Sequence, residues 1–416
     1  MMVAPILRSF ADALNKREAK SSLRRLTVRS PDAIDFSSND FLSLSTSNLL
    51  REKYLRALNN EYSPCTPAPP LGSGGSRLLD GNSVYAEELE KFIASFHDAP
   101  SGLLFNSGYD ANVGVLSCIP QPGDVIIYDE LIHASAHEGM RLSRAGTKIP
   151  FKHNSLGAFE RALKQVIAGD STILSGKRNV LVVVESLYSM DGDTAPIKEL
   201  LKVIQRELPQ GNGHLIVDEA HATGVFGPKG AGIVQDQGVQ SQVFIRVHTF
   251  GKALASQGAI VLCSPLTREY LINYARPLIY TTAMSRPALI AIRCAYKLMQ
   301  EGATETLQSD LQRNIEYLRA RCDELQRKVQ SSSVLQIDYH SGSPIFSVRT
   351  AIPRDLAQYC QQRRLLVRPI MAPTVPKGKE RVRVCLHAGN TQAEIDQLVD
   401  TITEWAAQKQ LTMAKL

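Results

Sequence analysis

Lys252 closes the run Thr249-Phe250-Gly251-Lys252, and Asp218 and His221 stand upstream of it. These residues sit where apolar β-type runs end: Leu215-Ile216-Val217 stops at Asp218, and Val243 to Val247 stops just before Thr249. In an open parallel sheet, ligands bind at the carboxyl ends of strands. A lysine there, beside a carboxylate and an imidazole, can form a Schiff base with an aldehyde cofactor, while a buried aspartate keeps the cofactor's pyridine nitrogen protonated. The combination reads as a pyridoxal phosphate site.

Plainer readings compete with it. A lysine after a glycine on a loop is usually a solvated surface cation. Asp218-Glu219-Ala220-His221 also spells a nucleic-acid helicase box, but a helicase needs a glycine-rich phosphate loop ending in Gly-Lys-Ser/Thr. Every Gly-Lys pair here continues differently, with Arg178 after Lys177, Ala253 after Lys252 and Glu380 after Lys379. A nucleic-acid motor is therefore disfavoured.

The elements that must position these residues follow from the rest of the chain. Its 416 residues can bury a large core in two or three domains of ordinary size. The net charge of +6 comes from 47 basic and 41 acidic residues with no long single-sign block, which suits a small anionic ligand better than a nucleic acid. Seven scattered cysteines without a Cys-x-x-Cys pair predict free thiols and no metal. No apolar run is long enough to cross a membrane. The ending Ala414-Lys415-Leu416 has the small-basic-leucine form of a peroxisomal import address, and the expected location is the peroxisomal matrix, otherwise the cytoplasm.

An amphipathic helix is predicted from Pro5 to about Leu26, then a short strand and turn over Ile34 to Leu42. Prolines 64, 67, 69 and 70 break the chain before the glycine cluster Gly72 to Arg77. Beyond the helix around Glu87 to Phe96, apolar runs alternate with helical stretches, the pattern of a parallel sheet with crossover helices. Leu103-Leu104-Phe105 leads to Asn106-Ser107-Gly108-Tyr109 and a helix near Ala111. A Ser-Gly turn at a helix start exposes backbone N–H groups that can cradle a phosphate. Val125 to Tyr128 and Val180 to Val184 are further strands; His133 follows the first, and Ser189-Met190-Asp191-Gly192 the second. A long helix is predicted from Pro287 to Gln330, then an α+β domain with strands near Ile345 to Val348 and Val382 to Val384. The division this implies is an N-terminal helix and arm over 1–45, a large domain over 46–286 and a small domain over 287–416.

Taken jointly, the motifs Phe36 to Leu42, Gly72 to Arg77, Ser107-Gly108-Tyr109, His133 with Ser135, Ser189 to Gly192, Asp218 to Gly224, Thr249 to Lys252 and Arg381 to Arg383 resemble the α-oxoamine synthases. These are fold-type I pyridoxal phosphate transferases. The resemblance runs from about Arg24 to the last helix. It implies a mostly parallel sheet in the large domain, a smaller α+β C-terminal domain, and a homodimer with shared active sites. The reaction it implies is a decarboxylating condensation of an amino acid with an acyl-CoA. Lys252 would bind the cofactor and act as base, Asp218 would pair with the ring nitrogen, and His221 and Ser189 would hydrogen-bond the ring oxygen. His133 would stack on the ring. Ser107, Gly108, Tyr109 and Thr249 would hold the phosphate, with Thr281 or Thr282 of the second subunit. Arg383 would grip the amino-acid carboxylate, and Arg24 the acidic end of the acyl substrate. Two positions depart from the pattern: Ala86 replaces a histidine common in relatives, and Ser43 a glycine. Both are expected on the substrate side.

Overall fold

A computed structural model describes residues 4–20, 22–63, 68–329 and 334–413. The strands, in order, are β1 (Ile34–Asp35), β2 (Ser101–Phe105), β3 (Val125–Asp129), β4 (Thr147–Phe151), β5 (Val180–Glu185), β6 (Gly213–Asp218), β7 (Ile245–Thr249), β8 (Ala259–Cys263), β9 (Gln336–Asp338), β10 (Ile345–Arg349), β11 (Leu365–Leu366), β12 (Arg368–Ile370) and β13 (Arg381–Cys385).

Seven of them form one sheet in the order β2-β8-β7-β6-β5-β3-β4. β3 to β7 are mutually parallel, and β8 is antiparallel to both of its neighbours, β2 and β7. β2 therefore runs with the parallel set, and the carboxyl ends of β2, β3, β5, β6 and β7 share one rim. Strands β5, β7 and β8 are buried throughout, and β6 over its last four residues. Covering both faces with helices is what requires uninterrupted apolar runs such as Val180 to Val184.

A second sheet, β12-β13-β10-β9, is antiparallel and lies in the C-terminal part of the chain. It is covered by helices Glu305–Val329, Pro353–Gln361 and Gln392–Met413. Trp405, 1% exposed, packs there and donates its indole N–H to Asp355 Oδ1 at 2.6 Å. β1 pairs in parallel with β11 and ties the N-terminal arm to this region.

Several sequence expectations need correction. The first helix spans Pro5–Ala19 and stops at Lys20, short of Leu26. All its described side chains are exposed, so nothing packs on its apolar stripe to extend it. The helix expected over Pro287 to Gln330 is two helices, Arg286–Gln300 and Glu305–Val329. Gly302, at φ +77°, turns the chain between them. β4 was not foreseen, because at the sheet edge its exposed Thr147, Lys148 and Pro150 carry no apolar run. Ser331 to Ser333, whose composition suggests a loop, and the Ala414-Lys415-Leu416 tripeptide lie outside the described residues. The six cysteines among the described residues are free and buried.

Candidate active site

The rim collects the predicted residues strand by strand. β6 ends at Asp218, whose Oδ1 accepts the backbone N–H of Ala220 at 2.9 Å and whose Oδ2 accepts the side-chain amide of Asn112 at 2.7 Å. In register beside it, β5 ends at Glu185. β7 ends at Thr249, and a turn then brings Lys252 to the same rim.

Electrostatics shows how closely these groups are grouped. Burial pushes the partly buried Lys252 amine down to about 8, with Asp218 and Glu185 opposing and Arg383 reinforcing the shift. Burial pushes Glu185 up to about 8, helped by Asp218 and countered by Lys252 and the backbone N–H of His133. His221, 4% exposed, is held well below its ordinary value by burial, then by the charges of Lys252, Arg383 and His133. It is a neutral imidazole at pH 7. A low-pKa amine between two carboxyl groups and a neutral imidazole is a set built for proton transfer.

His133 caps the helix Ala134–Leu142. Its Nδ1 accepts the Ser135 backbone N–H at 3.2 Å and lies 2.7 Å from Ser135 Oγ, so an uncharged ring carries its proton on Nε2. Though His133 keeps an exposed edge, partial burial lowers its pKa against the pull of Asp218, with Lys252 and His137 adding to the shift.

Ser107 caps the helix Gly108–Cys118, its Oγ accepting from Asp110 N at 3.0 Å. That leaves the first backbone N–H groups of the helix, at Gly108 and Tyr109, for an anion. A Cβ on Gly108 would sit 3.4 Å from Thr249 Cβ, so the missing side chain lets β7 close on the cradle. Tyr109 is half-exposed. Thr281 and Thr282 are tied to Asn106 of the same chain, whose amide donates to Thr281 Oγ1 at 3.2 Å and to the Thr282 carbonyl at 2.7 Å.

Arg383 reaches the site from β13. It is buried, one Nη donates to Asn39 Oδ1 at 2.8 Å, and its Nε has no partner among the described residues. His221 Nδ1 is likewise buried and unpaired there, and Ser189 lies partly buried on the turn after β5. Buried donors left free are costly without a ligand. A helix N-terminus for a phosphate, Asp218 for a pyridinium nitrogen, His221 and Ser189 for a ring hydroxyl and Lys252 for an aldehyde fit pyridoxal 5'-phosphate.

Arg24, Ser43 and Ala86, all expected on the substrate side, are placed as follows. Arg24 is exposed on the extended segment after the first helix and makes no ion pair or hydrogen bond among the described residues. Ser43 is structural: it adopts φ +54°, and its Oγ accepts the Gly389 backbone N–H at 3.0 Å, joining the arm to the small sheet's exit loop. Ala86 is buried in the first turn of the helix Val84–Phe96, beside a cavity also lined by Arg77, Asn106 and Thr281.

Two members of the site were missed. Glu185 closes β5 after the apolar run Val180 to Val184, a position not singled out from the sequence. Asn112, 6% exposed, was hidden inside a helical stretch. The one signal was an amide among the apolar residues Ala111, Val113 and Val115.

The comparisons agree with this geometry. The family model for aminotransferase class I and II matches residues 31–402. The 8-amino-7-oxononanoate synthase of Emericella nidulans is 58% identical over 98% of both chains. The aminoacyl transferase sphA of Aspergillus fumigatus is 41% identical over 96% of this chain and 87% of its own. Among solved structures, 8-amino-7-oxononanoate synthase from Francisella tularensis superposes with a TM-score of 0.71 at 26% identity, covering 91% of this chain and 99% of that one. Serine palmitoyltransferase of Sphingomonas wittichii gives 0.79 at 24% identity over 98% and 99%, a likeness of fold. The chain belongs to the aminotransferase class I and II family, and within it to the α-oxoamine synthases.

Proposed function

We propose that the protein condenses L-alanine with pimeloyl-CoA, releasing coenzyme A and carbon dioxide, to give 8-amino-7-oxononanoate, a step of biotin biosynthesis. The carrying observation is Lys252, with its lowered pKa, set among Asp218, Glu185, His221 and Arg383. The full-length identity of 58% to the Emericella nidulans enzyme supports the choice of substrates.

Pyridoxal 5'-phosphate, when bound, supplies an electron sink for charge developing at the amino acid's α-carbon. Asp218 is the residue to keep its ring nitrogen protonated, which calls for roughly 3 to 4 kcal/mol of preferential interaction. Lys252 Nζ gives up its proton near neutral pH and so can accept one from the α-carbon. Arg383 supplies a guanidinium for the amino-acid carboxylate, and His221, being neutral, hydrogen-bonds without adding charge. His133 keeps a proton on Nε2, which suits it to cover the ring and to hold a proton for return to product.

The active unit is a homodimer in this reading, with Thr281 or Thr282 of one subunit serving the phosphate cradle of the other. Sedimentation of purified protein as a monomer would remove that part. The C-terminal tripeptide directs the enzyme to the peroxisomal matrix; a tagged chain lacking Leu416 should stay in the cytosol, and unchanged import would refute the address.

A second reading, condensation with another acyl-CoA or amino acid, draws on the 41% identity to sphA and on Ala86 in the cavity wall. Purified enzyme assayed over a panel of amino acids and acyl-CoA thioesters decides between them. Alanine with pimeloyl-CoA should give the highest kcat/KM. A different pair ahead by about tenfold, or 1.4 kcal/mol, would transfer the assignment.

A further inference from the structure

Outside the proton-transfer group lies a second cluster of charge. His153 sits in the turn after β4, with Nδ1 at 2.9 Å from Asp129 Oδ1 and Nε2 at 2.8 Å from Asp193 Oδ2. Carboxylates only accept, and an uncharged imidazole has a single N–H, so one contact would set a nitrogen lone pair against an oxygen. The geometry requires the imidazolium. In agreement, the two carboxylates outweigh burial and raise the ring's pKa to about 10.

Each carboxylate organises a different part of the rim. Asp129 ends β3; its Oδ1 also accepts from Leu131 N at 2.9 Å, and its Oδ2 accepts from Asn154 N at 2.9 Å. That turn leads directly into His133. Asp193 closes the hairpin that carries Ser189: its carbonyl accepts from Tyr188 N at 2.9 Å, and its Oδ2 also takes the Asn154 side-chain amide at 2.6 Å. Glu130 accepts the His153 backbone N–H at 3.2 Å, the Tyr188 ring meets the imidazole edge-on at 4.5 Å, and His340 also acts electrostatically on Asp193.

We propose that His153 is a charged positioning residue that locks the His133 turn and the Ser189 hairpin to one another, so that both reach the cofactor together. The proposal rests on the cofactor reading above for its purpose. The clamp itself does not.

The cofactor-free protein, labelled with 15N-histidine and assigned with His153→Gln, is the first probe. Both ring nitrogens of His153 should carry protons at about pH 8.5, where an ordinary histidine carries one; a singly protonated ring overturns the proposal. In cofactor-free His153→Gln, backbone hydrogen exchange over 129–135 and 187–194 should quicken about tenfold, and the apparent Kd for pyridoxal 5'-phosphate, read by absorbance, should rise about tenfold. Unchanged exchange or unchanged affinity overturns it. If the unaltered protein binds no cofactor, the functional reading fails while nitrogen protonation and exchange still judge the clamp. Should His153→Gln not fold, Asp193→Asn serves: removing one of the two charges should lower the His153 pKa by more than about one unit, and an unmoved pKa counts against the clamp.

Discussion

Asn112 donates its side-chain amide to Asp218 Oδ2 at 2.7 Å, and the same amide nitrogen reaches Ser135 Oγ at 3.0 Å. Ser135 Oγ in turn meets His133 Nδ1 at 2.7 Å. One buried amide thus links the Asp218 carboxylate to the His133 imidazole through Ser135. Asn112→Ala removes both contacts at once. A hydrogen bond to a charged group is worth about 1.5 to 3 kcal/mol, so kcat should fall roughly 10- to 100-fold with the thermal midpoint little changed. Steady-state kinetics with alanine and pimeloyl-CoA checks this, and wild-type turnover would show that Ala220 N–H alone suffices for Asp218.

Lys252 should be the most reactive lysine of the cofactor-free protein at neutral pH. Burial leaves its amine with a pKa of about 8, against an ordinary 10.5. Trinitrobenzenesulfonate labelling followed by peptide mapping should show Lys252 half-reactive near pH 8, with surface lysines trailing by about two units. Lys252→Ala should neither retain the cofactor after borohydride treatment nor turn over.

The His153 clamp has a signature in stability as a function of pH. Folding raises this group's pKa from 6.5 to about 10, so the protonated ring is favoured in the folded state. Its contribution is complete below pH 6.5, declines above it, and is gone once pH has risen through 10. His153→Gln should therefore lower Tm most near pH 6 and progressively less towards pH 10. A deficit that stays constant over that range would mean lost packing, without any charge effect.

Ser43 offers a test of a structural role against a substrate role. Its left-handed backbone costs roughly 1 to 2 kcal/mol, and its hydrogen bond to Gly389 N returns about 1 kcal/mol. Ser43→Gly should be close to neutral in urea denaturation, while Ser43→Ala, which keeps the strain and loses the bond, should destabilise by about 1 kcal/mol. KM for both substrates should not move in either variant. A shifted KM for the acyl-CoA would return Ser43 to the substrate side.

Much of this was legible in the chain. Asp218, Thr249 and Lys252 follow from one rule, that apolar runs stop where a parallel sheet meets its ligand, and Ser107-Gly108 from the chemistry of helix starts. Asn112 was not legible, since an amide's value depends on which two groups it faces across 106 and 23 residues of chain. His153 was silent for the same reason: Asp129 and Asp193 lie on either side of it in sequence and come together only when β3, β4 and β5 align. Arg24 rests on the family resemblance alone, and in the single chain it is exposed on the arm.

Arg381, only 2% exposed, donates to the Met190 carbonyl at 3.1 Å and pairs with Asp191 Oδ1 at 2.5 Å. It stands two residues before Arg383 on β13, hence on the same face of that strand. A Cβ on Gly192 would fall 2.5 Å from the Ile345 carbonyl, so the Ser189 hairpin is also pressed against the neighbouring strand β10. The guanidinium proposed for the amino acid and the hydroxyl proposed for the ring are therefore tied together through Arg381 and Asp191. Altering which amino acid this enzyme accepts by moving Arg383 would tilt the ring contact as well, and redesign of the two must proceed as a pair.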